Sequence, residues 1–297
     1  MRLRWFACAL MVATAALAAP SAAEAQGQAV APDSVSEIRL RDGTVLIGRV
    51  VSETETTIVV LTRSGARVEV PVAQIVSRRE TVARAGGEVW PDDENGSRLF
   101  FSSTGRPVPK GEGYVSSYWL FFPFVGYGVT ERFTIAAGTP VIPGAMGEIF
   151  YIAPKFTLYD AGDLSLSVGA LSFFLTKEIA EGNAGILYGV GTYGSRDNAI
   201  TLGAGWFYAA TDDFSGTSNE PVFMLGGERR ISRRVKLVTE NWLAVNPGVS
   251  GMFSGGFRFI GDRLSADLGF AGMTGVESAC CLPVINFVWN FGGQGAR

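Results

Sequence analysis

Seven charged side chains form the one constellation in this sequence that could act on a solute. Lys155, Glu228, Arg230, Lys236, Glu240, Arg258 and Asp267 each lie where apolar and polar residues alternate, and each falls on the less apolar side. Charges of both signs in a narrow enclosure can do one of two things. They pair and fill the enclosure, or they form a constriction that sorts small solutes by charge. Nucleophilic catalysis is poorly served, because the chain has no histidine for a Ser-His-Asp or Cys-His arrangement or for a His-bearing zinc site. Carboxylate chemistry by Glu228 or Glu240 on a lipid is the enzymatic route left. Asp92-Asp93-Glu94-Asn95 clusters oxygen ligands, but it lacks the alternating spacing and bidentate Glu of a Ca²⁺ loop and reads as a solvated turn. Cys280 and Cys281 are adjacent and form a candidate disulfide without catalytic work. No metal site and no cofactor are expected.

Composition narrows the class. The chain carries 25 Lys and Arg against 28 Asp and Glu, so it offers no basic face to nucleic acid. Its 38 glycines and 11% aromatics suit many tight turns and strands with two unlike faces. Residues 1–25 read as a signal peptide: Arg2 and Arg4 precede an apolar run over 5–17, and Ala23-Glu24-Ala25 ends it as a small-x-small cleavage pattern. Cysteines at 280 and 281 would then meet an oxidising compartment. Beyond the leader no run approaches the ~20 apolar residues of a spanning helix. Such a chain can cross a membrane only as a closed sheet, because lipid satisfies no open backbone group.

The elements that would position the charges are strands. Residues 36–80 break into five short runs, with Asp42-Gly43 and Ser64-Gly65 as turn signals, and are expected to close as a small barrel. A polar linker over 81–97 follows. From 98 to 297, strands of about ten residues are joined by connections that are alternately short and long, the pattern of an outer-membrane barrel. The short ones are 130–132, 161–163, 195–197, 232–234 and 261–263, and the long ones begin with 104–113. Counting 98–103 as the first strand and 114–128 as the second gives about twelve antiparallel strands. Both ends of the barrel then lie on the periplasmic side.

Alternation sets the faces. Phe150, Phe156 and Leu158 oppose Tyr151, Lys155 and Thr157, and Phe257 and Phe259 oppose Arg258. Gly189, Gly191, Gly203, Gly205 and Gly256 are placed with the charges, facing inward. Trp206 and Tyr208 are expected in an aromatic girdle at the outer rim, Trp289 and Phe291 at the periplasmic rim. Pro123 and Pro154 fall inside strands and are expected at bulges.

Two resemblances add to this. Ile38-x-Leu40-x-Asp42-Gly43, Gly48-x-Val50, Ile58-Val59-Val60 and Val70-Pro71 resemble Sm-like and SH3-like small β-barrels. Arg98-Leu99-Phe100-Phe101-x-x-Thr104-Gly105-Arg106, Lys110-Gly111-x-Gly113-Tyr114 and Tyr127-Gly128-x-Thr130 resemble a family of bacterial outer-membrane β-barrels without assigned function. That likeness implies a location and no activity.

The expectation is therefore an all-β, non-enzymatic outer-membrane protein, structural or a small-solute channel. Its small barrel would stand in the periplasm and dock to a periplasmic protein or the cell wall, and its outer surface would meet lipid. The competing readings are a lipid-acting enzyme in the membrane and a soluble barrel that binds an apolar ligand. A continuous apolar belt around the outside separates the last from the rest.

Overall fold

The computed structural model describes residues 34–82, 90–91, 93–143, 147–176, 182–211, 215–244, 251–274 and 281–292. The expected signal peptide, residues 83–89 of the linker, Asp92 and Cys280 lie outside the described residues.

Five strands come first: β1 (Ser34–Leu40), β2 (Val45–Glu53), β3 (Thr57–Thr62), β4 (Arg67–Pro71) and β5 (Ile75–Val82). They form one antiparallel sheet in the order β4-β3-β2-β1-β5. Its core is Ile38, Ile58, Val60 and Val70, with Leu40, Leu46, Val50, Val68 and Ile75 packed against them. The β1–β2 turn uses Gly43 at φ +86°, a conformation open to glycine at little cost. Beside it the Thr44 amide donates to Asp42 Oδ1 at 2.8 Å, which holds the Asp42 carboxyl below its ordinary range.

The second sheet has 13 strands, one of which, β13 (Ser215–Thr217), is a three-residue extension beside β12. The other twelve close into a barrel. In chain order they are β6 (Gly113–Tyr118), β7 (Phe122–Gly128), β8 (Phe133–Gly138), β9 (Ile149–Ala161), β10 (Leu164–Leu175), β11 (Gly182–Gly194), β12 (Asn198–Thr211), β14 (Val222–Ser232), β15 (Val235–Ala244), β16 (Met252–Ile260), β17 (Leu264–Met273) and β18 (Leu282–Phe291). Each pairs antiparallel with the next in the wall, and β18 pairs with β6 from Asn286↔Tyr118 to Phe291↔Gly113. Closure leaves no edge strand.

The alternation holds. Lys155 and Thr157 are buried while Phe156 and Leu158 are exposed; Arg258 is buried while Phe257 and Phe259 are exposed. Pointing large apolar groups outward and polar ones inward is the inverse of a soluble barrel, and it is the arrangement that lipid favours.

Four expectations are corrected. Residues 98–103 are not a wall strand: they lie inside the barrel and touch themselves through one isolated bridge, Arg98↔Ser103. Residues 114–128 are not one strand but two, folded at Trp119 and Leu120, so the count of twelve rests on two compensating errors. Residues 104–113 are no outer loop but the return leg of the inner segment, ending beside the short turns. Gly189 and Gly191 face outward, because β11 buries Ile186, Val190 and Thr192.

The two prolines need no bulge. Pro123 stands opposite Ser117, one residue beyond the last β7–β8 pair at Phe124. Pro154 pairs with Ile135 on one side, and on the other the β9–β10 ladder skips from Lys155 to Ile152. The missing N–H of each falls where the ladder has ended or is interrupted.

Candidate functional site

All seven charges expected in the lumen are buried there. Glu228 and Arg230 stand on β14, Lys236 and Glu240 on β15, Arg258 on β16, Asp267 on β17 and Lys155 on β9. Several of them meet across neighbouring strands. Lys236 Nζ meets Glu228 Oε1 at 3.0 Å, and Arg258 Nε donates to Asp267 Oδ1 at 2.7 Å. Glu240 does not reach Lys236; it stands opposite Gly226 on β14.

Wall and turn residues supply some of their other partners, and a segment that the sequence hides supplies the rest. Residues 93–108 rise into the barrel from the short-turn rim, turn at Leu99, Phe100 and Phe101, and descend to β6. The backbone of this plug is irregular, so its N–H and C=O groups have few partners of their own. The wall supplies them. Lys155 Nζ donates to the carbonyls of Ser97, Thr104 and Arg106 at 3.4, 3.2 and 2.7 Å. Arg258 donates to the carbonyls of Asn95, Arg98 and Leu99 at 3.0, 3.2 and 2.8 Å. Glu240 accepts from the amides of Phe101 and Ser102 at 2.9 and 3.2 Å, and from Trp242 Nε1 at 2.7 Å.

The plug also carries its own charges. Asp93 is paired with Lys236 and lies 3.5 Å from Arg258. Arg98 Nη2 meets Asp267 Oδ2 at 2.7 Å, and Arg106 Nη1 meets Glu228 Oε2 at 3.1 Å. At the mouth, Arg230 donates to the Pro91 carbonyl at 2.8 Å and lies over the Trp90 ring. Two glycines admit the plug. A Cβ at Gly105 would sit 2.2 Å from the Ser165 carbonyl oxygen, and one at Gly226 would sit 2.1 Å from Leu99 Cδ1.

The lumen has two zones. Many inward positions near the short turns are charged or hydroxylic, with Ala199, Ile260 and Val288 as buried apolar ones among them. Inward positions toward the long loops are apolar and aromatic. Leu99 and Phe100, at the plug tip, bury themselves among Val190, Met224, Val238, Ala271 and Val284, with Phe101, Tyr188 and Trp242 packed against the group. The plug thus carries ion pairs at Asp93, Arg98 and Arg106 and buries an apolar tip at Leu99 and Phe100.

The expected girdle residues face outward. Trp206 and Trp289 are exposed. Tyr208 lies on the outer face and donates its hydroxyl to Ser172 Oγ, and Trp289 packs against Phe291 with ring centroids 5.8 Å apart. Cys281 is disulfide-bonded, with φ at +71°. The acidic run is not a solvated turn, since Asp93 and Asn95 are buried.

Sequence reasoning missed Asp93, Arg98 and Arg106. Arg98-Leu99-Phe100-Phe101 has strand-like composition, and its only warning was brevity.

The arrangement fills the charged zone with protein. It holds buried cations against carbonyls and carboxylates.

No protein-family model matches this chain, and no curated protein matches it. Among solved structures, a loop-deletion mutant of OmpT, an outer-membrane protein of Vibrio cholerae, is similar at 12% identity over 87% of this chain and 96% of that one, with a TM-score of 0.39. A mutant porin of Rhodopseudomonas blastica is similar at 11% identity over 87% and 98%, with a TM-score of 0.33. The fold itself is a closed, twelve-stranded antiparallel β-barrel joined to a five-stranded antiparallel sheet.

Proposed function

We propose that this chain is an outer-membrane barrel kept shut by its own segment 93–108, and that it serves as a fixed anchor for the sheet of residues 34–82 on the periplasmic side. The observation that carries this reading is the plug. Asp93, Arg98 and Arg106 are held by buried ion pairs, and the carbonyls between them are held by Lys155 and Arg258. Such a contact set is cohesive: breaking any one pair leaves a charge in a low-dielectric lumen. The exposed apolar outer face and its aromatic rims support placement in lipid. The chain enters and leaves the lumen at the short-turn rim, the rim that faces the periplasm in barrels of this design. The sheet then needs no crossing, and it docks there to a periplasmic protein or to the cell wall, as Sm-like and SH3-like modules dock to partners. The reading assigns no catalytic role.

Planar-bilayer recording tests it. The full chain should give no steady current, and Asp93→Asn combined with Arg98→Gln should give one by loosening the plug. A steady ohmic current from the unaltered chain would replace the anchor with the open-channel reading.

A further inference from the structure

The outer face of the barrel is largely apolar between its rims, and β15 interrupts it. Thr239 and Asn241 point outward there, alternating with the buried Val238 and Glu240. Asn241 is six residues beyond Val235, the first of the strand. With about 3.3 Å per residue and a tilt near 40°, it stands roughly 15 Å above the short-turn end, well inside an apolar band about 25 Å tall. Its neighbours on that face are exposed hydrocarbon. Leu225 and Phe253 stand opposite it on β14 and β16, and Leu243 follows it on β15.

The side-chain amide of Asn241 is half satisfied. Its Nδ2 donates to the Leu225 carbonyl at 3.2 Å and to Thr239 Oγ1 at 3.1 Å, whereas Oδ1 accepts nothing from the described residues. Thr239 needs no further partner, since its hydroxyl donates to the Ser254 carbonyl at 2.8 Å. At this depth lipid offers Oδ1 no donor, and an amide acceptor left open in hydrocarbon is costly.

Around Asn241 the surface is hollow on one side and raised on the other. Toward β14 and β12 lies a pocket of about 480 Å³, walled by Leu202, Ala204, Phe223, Leu225 and Leu243. The paired backbone of Gly203 and Met224 forms its floor. On the other side Phe253 of β16 and Phe270 of β17 stand out, 41% and 62% exposed. Below Asn241 the wall is bare, because Gly227 and Gly255 flank Thr239 in register. A Cβ at Gly255 would meet nothing within 4 Å, and its φ is not left-handed. Such a glycine suits close approach by another backbone. Arg229 lies lower on β14, three residues before its end at Ser232, where its charge reaches the aqueous rim.

We infer that this face, from β12 to β17, is the contact between two copies of the chain, related by a two-fold axis along the membrane normal at Asn241. Such an axis sets each residue against those on the opposite side of Asn241. Phe253 of each copy then meets the pocket of the other, the bare glycines let the two walls close, and the two amides face each other. An amide is its own complement. By turning one N–H from Thr239 to the opposite Oδ1, each Asn241 gives one bond and receives one. An acyl chain would fill the pocket but bring no donor to Oδ1. A different protein would need no pocket and filler on the two sides of one amide, whereas self-pairing requires both on one surface. The inference rests on the membrane placement proposed above, because in water solvent would serve the amide.

The test uses the full chain, purified in detergent and then reconstituted in phosphatidylcholine vesicles. Sedimentation in detergent should show a reversible dimer. Asn241→Leu should raise its dissociation constant about tenfold, the worth of a hydrogen bond between membrane segments. Gly255→Phe, whose ring projects outward into open space, should leave only monomer. Ala137→Phe should stay dimeric, because it adds the same ring to an exposed position of β8, away from the patch. A migration shift on boiling confirms that each variant has folded. In vesicles, energy transfer between donor-labelled and acceptor-labelled copies should persist as excess lipid is added, and should vanish in Gly255→Phe. A monomer or a trimer from the unaltered chain, an unchanged dissociation constant in Asn241→Leu, a dimer that survives Gly255→Phe, or equal loss in Ala137→Phe would each overturn the inference. Failure of the membrane placement itself reads differently, as a chain that does not enter the vesicles at all.

Discussion

Arg98 in the plug and Asp267 in the wall are 169 positions apart in the chain and 2.7 Å apart in the fold. Asp267 also receives Arg258 at 2.7 Å and Asn286 Nδ2 at 3.2 Å, so one carboxylate joins the plug to three neighbouring parts of the barrel.

Asp267→Asn should therefore be the most damaging single change among the lumen charges. It takes from buried Arg98 the carboxylate it pairs with and leaves buried Arg258 only the more distant Asp93 at 3.5 Å, at about 3–5 kcal/mol. Asp262→Asn, whose pair with Arg234 at 3.5 Å is exposed, should cost less than about 1 kcal/mol. Urea unfolding of both variants in detergent compares them, and equal midpoints would mean that water reaches Asp267.

Glu240→Gln should loosen the plug without opening the wall. Gln keeps one acceptor where the carboxylate receives the amides of Phe101 and Ser102 and the indole N–H of Trp242. Losing charge-assisted bonds of this kind costs about 1.5–3 kcal/mol. Brief current openings should appear in planar bilayers, whereas Glu131→Gln on an exposed turn should stay silent. Silence from both would mean that Glu240 contributes to rigidity and not to closure.

Leu120→Gly should stabilise the barrel. A left-handed conformation costs a non-glycine residue about 1–2 kcal/mol, and glycine escapes it. The expected gain is about 1 kcal/mol, read as a higher unfolding midpoint in detergent. A lower midpoint would show that the leucine side chain contributes more through contact than its backbone loses.

The unaltered chain should remain with outer membranes after a carbonate wash and should migrate differently on a detergent gel before and after boiling. A soluble pool, with no shift on heating, would count against placement in lipid.

The fragment 34–82 should fold alone, since its core of Ile38, Ile58, Val60 and Val70 uses only its own strands. A β-type circular dichroism spectrum is expected from the fragment and a disordered one from Val60→Asp. A disordered spectrum from the unaltered fragment would make the sheet dependent on the barrel.

The sequence displays what is local and periodic. On β9, β12 and β16 to β18 bulky residues mark the lipid side, so the phase of each strand, and with it the seven lumen charges, is legible. On β11 the glycines at 189 and 191 carry no side chain to set the phase, and the inward assignment fails there. The β6–β7 turn is illegible because Trp119 and Leu120 are not turn residues, and their conformation is imposed by pairing on both sides. The plug is illegible for a different reason. Asp93 reads as one acid in a polar run, and nothing near it in sequence announces Lys236, 143 positions away. Partners that meet only on closure leave no local pattern.

The plug also constrains the order of assembly. It lies immediately before β6, and β6 forms the seam with β18 over six residue pairs, from Gly113 to Tyr118. Before that seam zips, the inner segment can settle sideways onto a still-open curved sheet. Afterwards it would have to thread four charged residues, Asp93, Glu94, Arg98 and Arg106, up a narrow tube. The stopper must therefore be in position when the last strand arrives, and Asp93, Arg98 and Arg106 act as a mandrel around which the barrel is wound.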